Sequence, residues 1–564
     1  MASERTPFGV VRNSSIAYSL QIVTFGLFFS WGAKGEFWPA LIFSAMFGSG
    51  LYLIYRLRLP MLAFTGQALD HDRSVTVPGF IASQHGDDAR VQLLAAVVSV
   101  CAFAGMLASA AIAVASLVKP FLPGGLNTTF PVACGVLGLM LLYAIPAGHS
   151  GAMRSAQIQL GILYFGLIGS TFIVLYMLLS SAGRMPPRGT FAVAVLAICC
   201  SIVLIYRRSR YIDTSPISSS IFGEASAIEP AGAGFNRRVS RVANEVVAVL
   251  AGTTLVMALF ALYTQGADGA IAESVSALRL EMPMSISGVL ALVLLPAFYP
   301  IVDTTNWLRI AALDTDAHPA PVKTGRAPET FARVLGMYAG ASAMLWLFIC
   351  VLGTIAVLAT GAPDGADILR SFILALGSQQ TDLADAASWL LLVSVAAMAV
   401  LTGSAMFSAI SATLRYDIIP NIHSSHPERA EPADQMLARR RAVIAGGGLC
   451  AFTLIAISLL NGDADLSFTT GKFLHMQLAC VCAQLAFAPL VLGSLIGGQS
   501  AAIGSASAIA VIGTGLVAGQ GVIIVSLQTG FEAWLWSAVP ACLGLGLAVY
   551  AMALVSTKKT SPES

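Results

Sequence analysis

The amino-acid sequence predicts an all-α membrane protein with about fourteen transmembrane helices. Of its 564 residues, 57% are hydrophobic and 11% are charged, and the mean hydropathy is +0.79. Soluble proteins carry about 25% charged residues, so the composition excludes a soluble domain. The net charge of +2 gives no indication of a nucleic-acid partner. Two further observations support the prediction of a membrane protein: the length of the apolar runs and the placement of basic residues between them.

Apolar runs of about 20 residues, the length that crosses a bilayer, follow one another along the chain. The first run is short, whereas those at 91–118 and 333–360 are long enough to require tilted helices. The predicted spans fall near 15–32, 36–56, 91–118, 129–147, 156–182, 189–206, 242–264, 285–303, 333–360, 387–414, 442–461, 473–496, 500–526 and 532–556.

Basic residues cluster in alternate loops. Arginines are concentrated at 207–241 and 415–441, whereas the loops on the other side are acidic or neutral apart from Arg184 and Arg188. Because cytoplasmic loops carry the excess of Lys and Arg, we expect both termini to be cytoplasmic. The expected location is a bacterial cytoplasmic (inner) membrane.

This topology predicts two sets of five helices in opposite orientation. The first set occupies 1–182 and the second occupies 282–496. Between them, 183–281 is predicted to form an inserted two-helix hairpin with a basic cytoplasmic loop. Residues 497–564 are predicted to form two peripheral helices and a cytoplasmic tail. Inverted repeats of this kind are typical of secondary transporters.

Both sets begin with an irregular helix. The span at 285–303 contains Pro296 and Pro300, each of which removes a backbone donor. The span at 15–32 is short and carries Thr24 and Gly26 among apolar residues. Freed backbone groups are tolerated in a membrane only against protein or a watery cavity, so broken helices at matching positions predict a midplane binding site. A kinked helix that merely packs is the alternative.

Five motifs occur in a fixed order: TVPGF at 76–80 with QHG at 84–86, YAIPAGHSGAMRSAQIQ at 143–159, WLRIAA at 307–312, the segment at 402–418 ending LRYDI, and FAPL at 487–490. Together they resemble the sodium/solute symporter family, whose members have the LeuT-type 5+5 inverted-repeat fold. The resemblance covers residues 13–520. The hairpin at 189–264 departs from the family pattern.

The resemblance implies a sodium site between the first and eighth core helices. Counted back from Asp417, its two hydroxyl positions fall on Leu401 and Thr402, so only Thr402 keeps an oxygen; Ser404 lies nearby. Sodium prefers oxygen ligands. Packing at a helix contact is the alternative role for these hydroxyls. The carbonyl partners implied by the resemblance are those of Asn13, Ile16 and Met398.

The resemblance also implies a solute pocket. Tyr299 falls where sugar-carrying members of the family place a gating tyrosine, and an aromatic ring with a polar tip can cover and hydrogen-bond a ligand. Phe298, Ser19 and Thr24 are the other candidate substrate-binding residues. A tyrosine that packs in the core is the alternative for Tyr299.

The polar cluster after this helix has two interpretations. Asp303, Thr304, Thr305 and Asn306 are expected to cap a helix, with lining of an exit path as the alternative. The tryptophan that follows, Trp307, is interpreted as an anchor at the membrane interface.

The sequence therefore predicts a secondary active transporter, a cation (sodium)-coupled solute symporter that works by alternating access. Its expected partners are a small-molecule solute, sodium or a proton, and the lipid bilayer. No cofactor other than Na⁺, no other metal and no nucleic acid is expected. The alternative is a transporter-like sensor that binds solute without net flux. An enzyme is disfavoured because the apolar spans lack clustered nucleophiles, His pairs and paired acids.

Overall fold

The computed structural model describes residues 8–70, 75–122, 129–181, 285–312, 327–360, 368–378, 381–423, 432–461, 470–497, 503–529 and 532–560. Within these ranges all regular secondary structure is helical, which confirms the all-α prediction. The predicted hairpin at 189–264 lies outside the described residues. The division of the chain into two repeats stays a prediction.

The described residues of the N-terminal part form seven α-helices, and two of them, the short α4 and α5, were not expected from hydropathy. The helices are α1 (Phe8–Ser19), α2 (Ile22–Ala33), α3 (Phe37–Arg56), α4 (Arg58–Asp70), α5 (Val77–Ser83), α6 (Ala89–Val118) and α7 (Thr129–Ser181).

One helix, α7, runs through both predicted spans at 129–147 and 156–182, and its apolar stretches are Thr129–Tyr143 and Gln159–Val174. The prediction divided this region because a polar stretch interrupts the apolar run. A polar stretch ends a hydropathic span, but it does not end a helix unless its backbone hydrogen bonds are lost. The ends of the apolar runs therefore do not coincide with the ends of the helix in this region.

The second part of the chain follows the predicted spans more closely. Its helices are α8 (Ile286–Val302), α9 (Thr304–Ala312), α10 (Ala327–Thr360), α11 (Ile368–Ser378), α12 (Asp382–Thr413), α13 (Ile419–His423), α14 (Pro432–Asn461), α15 (Thr470–Leu485), α16 (Ala488–Gly497), α17 (Ser505–Thr529), α18 (Glu532–Leu535) and α19 (Ala538–Thr560).

Several of these helices begin at a side chain that accepts the first free amide hydrogens, as helix starts require. Thr76 accepts from the amide of Gly79 before α5, and Asp88 accepts from that of Arg90 before α6. Ser285 caps α8 in the same way. Local chemistry therefore sets these boundaries.

Seven helical segments in the described ranges are long and apolar enough to cross a membrane, and two bent pairs could each form one more span. The protein is an integral membrane protein. The bent pairs are α1/α2, with a bend of 53°, and α8/α9, with a bend of 49°. They contain the two spans for which the sequence predicted irregularity.

The position of the second break differs from the prediction. Helix α8 runs through Pro296 and Pro300 and ends only at Val302, after which Asp303 adopts an extended conformation with φ −78° and ψ 106°. A proline removes one hydrogen bond, and the helix on either side can continue. The break comes instead where a side chain can cap the next helix.

The first break also lies elsewhere than the sequence indicated. The predicted span at 15–32 is preceded by further helical residues, since α1 begins at Phe8. The interruption falls at Leu20 and Gln21, between Ser19 and Ile22, whereas Thr24 lies inside the regular helix α2.

A close contact between α2 and α10 holds the first broken pair in place. An added Cβ at Gly32 would overlap the carbonyl of Cys350, and one at Gly353 would overlap the carbonyl of Phe29. The hydroxyl of Thr354 donates to the carbonyl of Gly32 at 2.7 Å. Small residues allow this approach of two backbones, as is usual in membrane helix pairs.

Two of the sequence motifs meet at a buried carboxylate. Asp417 lies in a π-helical turn after α12 and is fully buried. Its Oδ2 accepts from the hydroxyl of Thr76 at 2.7 Å, and its Oδ1 accepts from the amide of Gln92 at 2.8 Å. Asn421 donates to the Asp417 carbonyl at 2.6 Å. These contacts join α5 and α6 to the end of α12.

We predict that Thr76→Val destabilises the protein. The substitution keeps the side-chain volume, but it removes the hydroxyl that donates to Asp417 and caps α5, at a cost of about 1.5–3 kcal/mol for a bond to a charged group. Thermal unfolding in detergent should show a lower Tm than wild type. Thr76→Ser keeps the hydroxyl and serves as the matched control. Equal Tm values for the Val and Ser variants would contradict this account.

Candidate functional site

Side chains of α10 hydrogen-bond to Ser19 at the break between α1 and α2. The carbonyl of Ser19 accepts from Trp346 Nε1 at 3.1 Å, and the hydroxyl of Ser342 donates to Ser19 Oγ at 2.8 Å. Ser19 Oγ in turn donates to the carbonyl of Ile16 at 2.7 Å. Because freed backbone groups must find partners inside a membrane, these contacts make the break stable.

Trp346 is held in position by an aromatic cluster. Its ring stacks on Phe28 with centroids 5.2 Å apart, and Phe43 and Phe47 meet it edge-on at 5.4 and 4.8 Å. Edge-to-face and offset-stacked pairs at such distances are the favoured aromatic arrangements. The indole donor that closes the first break is therefore fixed by packing.

The break between α8 and α9 is closed by its own sequence. Asn306 Nδ2 donates to the carbonyl of Pro300 at 3.2 Å, and Trp307 Nε1 donates to that of Ile301 at 2.7 Å. Trp307 is fully buried, so its interpretation as an interfacial anchor is wrong. Its indole N–H is needed where α8 ends rather than at the membrane surface.

Asp303 is the N-cap of α9, as its position predicted. It is fully buried, and its Oδ1 accepts from the amide of Thr305 at 2.9 Å. The hydroxyl of Thr305 lies 2.7 Å from both carboxylate oxygens. An N-cap carboxylate satisfies a free amide and faces the positive end of the helix dipole.

Arg309 connects the second break to the first helix. Its guanidinium lies 4.0 Å from the ring centroid of Tyr18, and its Nε donates to Ser14 Oγ at 3.4 Å. Its Nη1 donates to Thr305 Oγ1 and Asn306 Oδ1, each at 3.3 Å. Although the sequence places Arg309 beside a loop, it is 3% exposed. The Thr305 hydroxyl bridges this cation and Asp303.

A large cavity lies where the two broken pairs meet. It contains about 860 Å³ of empty space, including the part open to its surroundings. Small-molecule sites have mainly apolar walls with a few polar groups, and the walls of this cavity have the same character. It is lined by Tyr18, Ser19, Gln21, Val23, Thr24, Leu27, Phe43, Phe47, Leu295, Pro296, Tyr299, Asp303, Asn306, Tyr338, Trp346, Leu474, Gln477, Leu478, Val481 and Trp536.

A smaller cavity lies on the α1 and α9 side of the breaks. It contains about 330 Å³ of empty space counted in the same way, and its walls carry hydroxyl groups and one guanidinium. Tyr18 borders both cavities. The smaller cavity is lined by Ser14, Tyr18, Met153, Ala156, Thr305, Arg309, Leu401, Ser404, Ala405 and Ser408.

Three of the four predicted substrate-binding residues line the large cavity. These are Tyr299, Ser19 and Thr24, whereas Phe298 lines neither cavity and packs against the hydrophobic core. The hydroxyl of Tyr299 reaches Met106 Sδ at 3.9 Å. Adjacent residues on a helix point about 100° apart, and here Tyr299 faces the cavity while Phe298 faces the core.

The predicted sodium ligands come together only in part. Ser404 lines the smaller cavity, and its hydroxyl donates to the carbonyl of Leu401 at 2.9 Å. Thr402 is buried and lines neither cavity, and its hydroxyl makes no hydrogen bond to the described residues.

The predicted carbonyl ligands are also constrained. The carbonyl of Ile16 already accepts from Ser19 Oγ. Asn13 is buried in α1, where its side-chain oxygen accepts from Arg12 Nε at 3.0 Å, and Met398 is fully buried in α12. The structure therefore brings hydroxyls of α1 and α12 to one small cavity, with Ser404 rather than Thr402 at its wall.

Sequence reasoning missed several residues of the site. Tyr18 and Trp346 line the large cavity, although neither was among the predicted site residues. Arg309 belongs to the WLRIAA motif, but it was not among the predicted site residues. A charged pair at Asp303 and Arg309, at the two ends of a short helix with two threonines between, could have indicated burial.

The fold is similar to that of a solved transporter. A substrate-bound, outward-open structure of a Na⁺-coupled sialic acid symporter aligns with a TM-score of 0.60 and 13% identity, over 99% of this chain and 91% of that chain. A mutant of the Eremococcus coleocola manganese transporter aligns with a TM-score of 0.41 and 13% identity, over 98% and 94% of the two chains. No protein-family profile matches the chain, and no curated sequence is significantly similar to it. The first alignment shows a shared fold.

We predict that Trp346→Phe weakens the first helix break. Phenylalanine can keep much of the aromatic packing, but it leaves the Ser19 carbonyl without its donor, at a cost of about 1–3 kcal/mol for an unsatisfied buried group. Thermal unfolding in detergent should show a lower Tm. Trp389→Phe is the control, because Trp389 is 57% exposed. An equal shift in both variants would show that the indole hydrogen bond contributes nothing specific.

Proposed function

We propose that this protein is a secondary active transporter that moves a small-molecule solute together with a cation by alternating access. The observation that carries the proposal is the large cavity, which is bordered by both broken helix pairs and by Asp303 at the second break. Sites at paired helix breaks are characteristic of secondary transporters. The fold shared with a Na⁺-coupled sialic acid symporter supports the proposal.

The two cavities provide a physical basis for alternating access. The larger one lies on the α2 and α8 side of the breaks, and the smaller one lies on the α1 and α9 side. Tyr18 borders both, with Asp303 and Thr305 beside it. Movement of the broken pairs against α12 would enlarge one cavity as the other closes.

The coupling cation in this proposal is sodium or a proton. The unpartnered hydroxyl of Thr402 is a suitable oxygen ligand for sodium. The Ile16 carbonyl accepts from Ser19 Oγ with one lone pair and keeps a second lone pair for a cation. Ser404, Asn13 and Met398 complete the proposed set.

The first prediction concerns the solute. Purified protein in vesicles should exchange at least one labelled compound from a panel of sugars, carboxylates and amino acids, in counterflow without any ion gradient. Tyr299→Ala should raise the half-saturating concentration about tenfold, equivalent to about 1.4 kcal/mol, because it removes a cavity wall.

Phe298→Ala is the matched control for this experiment, since the neighbouring ring lines neither cavity, and its half-saturating concentration should stay close to wild type. Equal effects of the two substitutions would contradict the assignment of the cavity. Binding of a compound without counterflow would identify a sensor instead of a carrier.

The second prediction concerns sodium. If Thr402 coordinates the coupling ion, Thr402→Ala should raise the sodium concentration for half-maximal uptake about tenfold, because one oxygen ligand is lost. Thr402→Ser keeps the oxygen and should stay close to wild type. The measurement is uptake at increasing sodium with choline as the replacement. Wild-type uptake that is independent of sodium would eliminate this site.

A further inference from the structure

Asp303 occupies an unusual position for a carboxyl group. It is fully buried at the break between α8 and α9 and borders the large cavity, while the next residues, Thr305 and Arg309, border the smaller one. Within the described ranges only one other acidic side chain, Asp417, is buried. That residue borders neither cavity and is held by Thr76 and Gln92. Asp303 is therefore the acidic group placed between the two cavities.

The number of hydrogens that the Thr305 hydroxyl can donate bears on whether the Asp303 carboxyl group is protonated. Thr305 Oγ1 lies 2.7 Å from Asp303 Oδ1, 2.7 Å from Asp303 Oδ2 and 3.3 Å from Arg309 Nη1. A hydroxyl has one hydrogen to donate and two lone pairs to accept with. Thr305 has a single hydrogen for the two carboxylate oxygens, so an ionised Asp303 must share it between them. A proton on one oxygen would let Asp303 donate to the second lone pair of Thr305, and both contacts would then be full hydrogen bonds.

The charged and titratable neighbours of Asp303 belong to four different helices that pack around the break. They are Tyr18 from α1, Tyr299 from α8, Arg309 from α9 and Tyr338 from α10. The single cation among them, Arg309, makes no direct ion pair with Asp303, because Thr305 lies between them. The hydroxyl of Tyr18 is buried beside Asp303 and Thr305 without a hydrogen bond of normal geometry.

The environment of Arg309 is compatible with both states of Asp303. Its guanidinium rests on the ring of Tyr18 and donates to Ser14 and Asn306. Cation–π contacts and neutral acceptors support a buried guanidinium without a carboxylate. Protonation of Asp303 consequently leaves Arg309 with partners, whereas ionisation is supported by the N-cap bond and by the nearby cation.

We propose that Asp303 binds the coupling proton of this carrier. The proposal rests on the proposed cation-coupled transport and specifies its ion and its binding group.

One proton from the side of higher proton concentration binds a carboxylate oxygen of Asp303 while solute occupies the large cavity. After the helices move, the same O–H bond breaks and the proton leaves on the other side with the solute. No electrons are transferred and no further reactant is needed. Buried acids in membrane spans commonly serve as such relays.

The first test measures protonation directly and requires no solute. Infrared difference spectra of the purified protein, recorded between about pH 5 and about pH 9, report the carbonyl stretch of protonated carboxyl groups. Wild type should show a band that disappears as the pH rises. Asp303→Asn, which preserves size and capping ability, should lack it. Asp417→Asn is the matched control and should retain it. No titrating band in wild type, or the same band in Asp303→Asn, would overturn the proposal.

The second test measures coupling. For a solute exchanged by wild type, the ratio of accumulation driven by an inward proton gradient to gradient-free counterflow should fall about tenfold in Asp303→Asn. Asp303→Glu restores a titratable carboxyl and should restore part of the ratio, and Asp417→Asn should keep the wild-type ratio. An unchanged ratio in Asp303→Asn would overturn the proposal.

The two tests separate this proposal from the proposed function. If wild type exchanges no compound, the transport function fails and proton coupling fails with it, whatever the infrared spectra show. If wild type exchanges a solute but accumulates it only with a sodium gradient, the transport function stands and the role of Asp303 is refuted.

Discussion

The need to satisfy backbone groups inside a membrane governs the rest of this structure. Both broken helices leave carbonyls without a partner in their own helix, and such groups are costly in hydrocarbon. The two breaks solve this problem differently. Trp346 donates to the carbonyl of Ser19 from another helix, whereas Asn306 and Trp307 fold back onto the end of α8. The first break therefore depends on the position of α10, and the second is closed by its own segment.

This difference has consequences for function. A break closed by another helix responds to any movement of that helix, while a locally closed break moves as a unit. Arg309 links the two, because it belongs to the second break and rests on Tyr18 of the first helix. The polar core of the site is thus an electrostatic contact between the two irregular helices, with Asp303 and the hydroxyl of Thr305 at its centre.

Much of the fold could be predicted from residue patterns, because hydrocarbon accepts only long apolar helices and Pro, Gly and polar residues mark their irregularities. The site was less accessible. Tyr299 and Ser19 were expected at the pocket and do line it, but neighbouring Phe298 does not. Ser404 rather than Thr402 reaches the small cavity. Such distinctions depend on the rotation of each helix about its axis, which packing decides and a motif cannot specify.

The sequence by itself determined that the chain is an all-helical membrane protein with irregular helices in the spans at 15–32 and 285–303, since composition, run length and capping chemistry act locally. Only the tertiary structure decided where the breaks fall, which side chains close them and which face the cavities. It also showed that Arg309 and Trp307, which resemble surface residues in the sequence, are buried. Their partners lie on other helices or beyond a bend, and such contacts arise only when the helices pack.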